Sequence, residues 1–171
     1  MPPSTTDLDR YVMHLNHALA MEAALVDHLE KRAAAVHQPE LKQRLLAHRD
    51  ESVQHRNALH DIVTSLRAEP TTAAASVQPP VATGLAGRVL AALQSEAEDR
   101  LLDDSLADYA LEQYEAALYG ALTQIARNLG YGAHAGRFEA IRQQERAMAE
   151  FLATHQPAIV REAFPPEAQA A

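Results

Sequence analysis

Apolar residues recur at three- and four-residue intervals along most of this chain, the signature of helices that each bury one stripe. One stripe reads Leu41, Leu45, His48, Ser52, His55, Leu59, Ile62 and Leu66, with Glu51 on its shoulder. Its middle is polar. An earlier stripe, Leu8, Val12, Leu15, Leu19, Glu22, Val26, Leu29 and Ala33, is interrupted at Glu22 alone. Two later ones repeat the theme: Leu111, Glu115, Leu118, Leu122, Ile125 and Leu129, with Glu112 at the inward edge, then Phe138, Ile141, Glu145, Met148 and Leu152. These stripes predict four long helices, over about 7–36, 39–67, 99–129 and 135–155.

Thr6 or Asp7 can cap the first helix, and Pro39 suits the first position of the second. The break between them is tight, so the second helix folds back antiparallel on the first. Glu22 then lies about 16 residues before the turn and Glu51 to His55 about 13–17 after it, which at about 1.5 Å per residue brings them to one height. Gly130 and Gly132 close the third helix. Residues 70–98 read as a linker, an alanine-, threonine- and proline-rich connector to Thr83 followed by a short amphipathic helix over Gly84–Ser95. A link of this length lets the chain cross a bundle between the second and third helices. Beyond Pro157, a short Ala158–Phe164 segment packs on the bundle end. The expected fold is all-α: one domain over 1–171, an antiparallel four-helix bundle whose long crossover carries a short extra helix.

Composition narrows the chemistry. With 171 residues the chain can bury a core unaided, and with no cysteine it excludes thiolate zinc sites, iron-sulfur clusters and thiol nucleophiles. Net charge is −8, from 23 acidic and 15 basic residues spread along the chain, which argues against nucleic acid as a ligand and suits cations. No basic leader precedes an apolar run, and no window approaches the roughly 18 apolar residues of a membrane span. The expected location is the cytoplasm.

An internal repeat places the polar interruptions. Glu22 and Glu51 are 29 residues apart and Glu115 and Glu145 are 30 apart, so two similar hairpins would bring four glutamates to one layer. The same shift sets His55 on Ala149, leaving the second hairpin without a matching imidazole. No lysine or arginine occupies the stripes, and like charges about 4 Å apart repel strongly in a low-dielectric interior. Protonated carboxyls in a network with histidines and waters would relieve this. Two divalent cations would relieve it further, and carboxylate plus imidazole ligands suit iron or manganese, with zinc as an alternative. Residues four apart lie about 40° apart around a helix, so Glu51 and His55 can hold one ion. Glu22 and Glu115 can bridge two, and Glu145 can serve the second. His48 reads as a residue that holds a carboxylate in place, and Tyr119 as a packing residue able to hydrogen-bond a ligand.

The blocks Pro39-Glu40-Leu41-Lys42, His48-Arg49-Asp50-Glu51-Ser52 with His55, Glu112-Gln113-Tyr114-Glu115 with Tyr119-Gly120, and Gln144-Glu145-Arg146-Ala147 carry a resemblance over roughly Asp7 to Leu152. In their order and spacing the chain resembles the ferritin-like superfamily, and within it the YciE/YciF-type ferritin-like proteins. The resemblance implies a four-helix bundle, a dinuclear metal centre and an association with stress responses. It carries the ligand role to Glu22, Glu51, His55, Glu115 and Glu145. Where the family offers an acidic residue this chain has Ala149, and either Glu112 or a water would fill that place.

Two functions follow as expectations. One is a dinuclear iron or manganese carboxylate protein that oxidises iron or removes peroxide, with dioxygen or hydrogen peroxide as its oxidant. The other is a non-catalytic metal-binding or structural bundle that acts through self-association or a partner. A homodimer is the expected assembly.

Overall fold

The computed structural model describes residues 3–71 and 100–165. Four long helices account for nearly all of them: α1 (Thr5–Ala35), α2 (Pro39–Ser65), α3 (Arg100–Asn128) and α4 (Gly132–Ala163). Among the described residues there is no strand. The short helix expected over Gly84–Ser95, and most of the crossover, lie outside the described residues.

The ends are set by local chemistry. Helix α1 is capped by Ser4, earlier than Thr6 or Asp7, because the Ser4 hydroxyl accepts from the Asp7 amide (3.2 Å) and donates to the Asp7 carboxylate (2.6 Å). Pro39 opens α2 as expected. Helix α2 ends as Arg67 enters the left-handed region at φ 57°, with the Ala68 amide donating back to Val63 at 3.3 Å. Gly130, at φ 84°, ends α3, and the Tyr131 amide returns to Ala126 at 2.8 Å. The largest departure is α4, which runs through Pro157 to Ala163 instead of stopping near His155. Proline removes one helical hydrogen bond, but here the face it interrupts is exposed at Pro157 and Ala153, where water can serve the freed carbonyl. Two turns beyond Leu152, Ile159 is fully buried and holds the extra turns in place.

By compactness the chain divides into two units, Met1–Gln78 with Ala116–Gln144 and Pro79–Glu115 with Glu145–Ala171, so that α3 and α4 each run through both. In the first, all four helices share one core: Tyr11, Leu15 and Leu19 from α1, Leu59, Ile62 and Val63 from α2, Tyr119, Leu122 and Ala126 from α3, Phe138 and Ile141 from α4. The early part of α1 and of α4 thus meets the late part of α2 and of α3, which makes the arrangement an antiparallel four-helix bundle. Asn16 ties the chain leaving α2 to α1, donating to the Glu69 carbonyl (3.1 Å) and accepting from the Thr71 amide (3.0 Å). In the second unit Leu111, Met148, Leu152 and Ile159 are buried, and Gln156 donates to Ser105 at 2.9 Å. No described helix is long and apolar enough to cross a membrane.

The stripes of α2 and α4 are buried as read, apart from half-exposed Leu66. That of α3 is rotated by about one residue: Leu118 and Ile125 are half-buried while Tyr119 and Ala126 are fully buried.

Candidate metal centre

The polar interruptions of the stripes are all inside. Glu22, His48, Ser52, His55, Glu112, Glu115 and Glu145 are each at most 3 % exposed, a state that an ionisable residue reaches only with compensating partners. Glu51 is the outlier, with its side chain 26 % exposed at the rim.

In the first unit Glu22 is engaged from two sides. The Tyr119 hydroxyl donates to its Oε1, and His55 Nδ1 faces the same oxygen at 3.4 Å. The His55 ring lies edge-on to Tyr119, and its other nitrogen, Nε2, lies 2.9 Å from Gln144 Oε1. A carbonyl oxygen only accepts, so Nε2 carries the hydrogen there. Two turns earlier on α2, His48 Nδ1 lies 2.8 Å from Glu51 Oε2, and Arg44 reaches that same oxygen at 3.1 Å. Burial pushes the Glu51 carboxyl up, but the His48 hydrogen bond and the Arg44 charge outweigh it and hold the carboxyl below its usual range. Glu51 is therefore an anion already paired.

In the second unit Glu112 and Glu115 stand one turn apart on α3, with Asp108 and Ser105 buried one and two turns before Glu112. Burial, then the Glu115 charge, raises the Tyr114 phenol above its ordinary value, so Tyr114 stays protonated beside this acidic run. Glu145 is buried on α4, and Ala149 beyond it is buried too.

Two sets of donor atoms lie close enough to share an ion. One donor each from His48, Glu112, Glu115 and Glu145 lies within 4.8 Å of the others, and the same holds for Glu22, His55 and Glu145. Five of the six residues expected from the sequence are therefore brought together, and Glu145 belongs to both sets. Glu51 is in neither, and His48 stands in the set instead. The donors are four carboxylates and two imidazoles, the oxygen-rich mixture that suits iron, manganese or zinc. Sequence reasoning left Arg44 and Gln144 aside. Arg44 had a signal: it lies seven residues, two turns, before Glu51 and so shares its side of α2. Gln144 had none beyond its place next to Glu145.

Elsewhere Tyr11 hydrogen-bonds His134 (3.2 Å), and the Tyr11 and His134 rings both stack on Tyr131, so His134 is part of a packed aromatic group.

A family model described as a domain of unknown function, DUF892, matches residues 6–164. Two solved structures are similar over nearly their whole lengths. The Xanthomonas campestris pv. campestris protein XCC3681 is 28 % identical with a TM-score of 0.74, covering 92 % of this chain and 95 % of its own. The E. coli stress protein YciF is 23 % identical with a TM-score of 0.75, covering 93 % and 99 %, a likeness of fold. Among curated proteins none matches.

Proposed function

The chain belongs to the DUF892 family, and on that premise we propose that it is a ferritin-like dinuclear metal protein in which Glu22, His55 and Glu145 hold one ion and His48, Glu112, Glu115 and Glu145 hold the other. The observation that carries this reading is the membership of Glu145 in both sets of donors. A carboxylate has two oxygens, and one that belongs to two sets would be able to serve both ions. Charge supports it as well. Four buried glutamates bring four negative charges when ionised, and two divalent cations balance them where water cannot.

Bound iron or manganese would supply redox and Lewis-acid chemistry toward dioxygen or peroxide, and iron oxidation or peroxide removal is the activity we assign. The chain's own residues prepare for it. The Tyr119 hydroxyl holds Glu22 Oε1 in place, Gln144 holds the His55 ring, and Glu112, Glu115 and Glu145 are buried from bulk water. Glu51, paired with Arg44 at the rim, steadies His48 and is not itself assigned as a ligand. A stress response, shared with what the E. coli neighbour is named for, a cytoplasmic location and a homodimeric assembly complete the reading.

Metal content decides it. Protein expressed in iron- and manganese-supplemented medium is expected to carry two ions per chain, and Glu145→Ala is expected to lose both while Glu51→Ala keeps at least one. Wild-type protein without metal would overturn the proposal. Two ions with no peroxide consumption and no iron oxidation would leave the non-catalytic metal-binding function in place of the enzyme.

A further inference from the structure

The two buried imidazoles of α2 are held by opposite nitrogens. A neutral imidazole has one N–H and one lone pair, and whichever nitrogen is tied as a donor leaves the other to face a cation. His55 gives its Nε2–H to Gln144 Oε1 at 2.9 Å, so its lone pair is on Nδ1, buried and 3.4 Å from Glu22 Oε1. His48 does the reverse. Its Nδ1 donates to Glu51 Oε2 at 2.8 Å, and its lone pair is on Nε2, which is buried. The partner of His48 is a carboxylate steadied by Arg44 on the same oxygen, a stronger hold than the neutral amide of Gln144.

Resting on the metal-binding reading above, we infer that Gln144 and Glu51 are positioning residues that present Nδ1 of His55 and Nε2 of His48 to the metal-binding donors. Neither Gln144 nor Glu51 supplies a ligand atom. Each fixes the ring orientation and tautomer of one imidazole, and each keeps the coordinating nitrogen from carrying the hydrogen. Without the Gln144 oxygen, the His55 hydrogen is free to move to Nδ1, where Glu22 Oε1 accepts it, and the lone pair then points to the wrong side. The asymmetry has a consequence for the two ions. Loss of Gln144 weakens the set containing Glu22 and His55, whereas loss of Glu51 weakens the set containing His48.

The tautomers can be read without metal. A long-range nitrogen–proton correlation spectrum of the metal-free, full-length protein at alkaline pH is expected to show His55 with its hydrogen on Nε2 and His48 with its hydrogen on Nδ1. The same tautomer at both residues would overturn the inference. Metal titration with manganese gives the second readout. Gln144→Leu is expected to bind one of the two ions about 10–100-fold more weakly, the range for loss of a residue that orients a metal ligand. Gln144→Glu, which keeps an acceptor oxygen at that position, is expected to restore it. Wild-type protein that takes up two ions, with Gln144→Leu doing so at unchanged affinity, overturns this inference alone. Wild-type protein that takes up none overturns the metal-binding reading and the inference with it.

Discussion

Tyr119→Phe isolates one atom of the buried site. The ring is fully buried and remains in the variant, still packed near Phe138 (centroids 6.3 Å apart) and His55 (6.2 Å), so only the hydroxyl is removed. That hydroxyl donates to Glu22 Oε1 on a side chain with no exposed surface. A hydrogen bond to a charged acceptor contributes about 1.5–3 kcal/mol, and one between neutral groups about 0.5–1.5 kcal/mol. An ionised Glu22 therefore predicts a loss of about 1.5–3 kcal/mol in the metal-free protein, and a chain of this length converts each kcal/mol into about 2–4 °C of Tm. The measurement is urea denaturation in the presence of a chelator, which removes the stabilisation that bound metal would add by mass action. A loss below about 0.5 kcal/mol would refute the reasoning, because a buried carboxylate cannot lose such a donor without cost. A loss in the neutral range would instead mean that Glu22 is protonated when no ion is bound.

Two further outcomes follow from the core around this site. Phe138 is fully buried in the four-helix core, and Phe138→Ala is expected to destabilise by about 3–5 kcal/mol in the same assay, a value under 1 kcal/mol contradicting the assigned packing. Burial, and after it the Arg137 charge, lowers the His134 pKa from 6.5, so the unfolded chain takes up this proton before the folded one as pH falls. Wild-type stability should therefore decline as pH drops below about 6.5 until the folded pKa is passed, and His134→Phe, which keeps a ring to stack on Tyr131, should decline less. Equal slopes for the two proteins would show that His134 is not held neutral.

The helices were legible because a long apolar stripe at helical spacing has one cheap explanation, and Phe138, Ile141, Glu145, Met148 and Leu152 of α4 are all buried as the pattern requires. Where the reading slipped, a tertiary contact overrode a local rule. Pro157 marks a stop in any local rule, yet it lies on an exposed face and the helix is held by Ile159 beyond it. In α3 the pattern chose Leu118 and Ile125 over Tyr119 and Ala126, since leucine and isoleucine outrank tyrosine and alanine as apolar residues. The structure reverses them because the Tyr119 hydroxyl has a buried acceptor in Glu22, which a pattern confined to one helix cannot see.

The same limit explains the exchange between His48 and Glu51. These residues are three apart on α2, about 60° around its axis, so both fall near the inward stripe and spacing alone cannot say which points in. The decision comes from outside the pair. A carboxylate loses more than an imidazole on leaving water, and Arg44 offers Glu51 a charge partner at the rim. With Glu51 turned toward Arg44, its free energy is lowest half-exposed, and the neutral imidazole takes the interior position with its Nδ1 hydrogen still satisfied by Glu51. A single basic residue two turns away thus selects which of two potential ligands faces the other glutamates. It also lowers by one the number of buried negative charges that bound cations must balance. Were Arg44 replaced by a neutral residue, Glu51 would lose its reason to stay at the rim, and its carboxylate would become a competitor of His48 for the same ion.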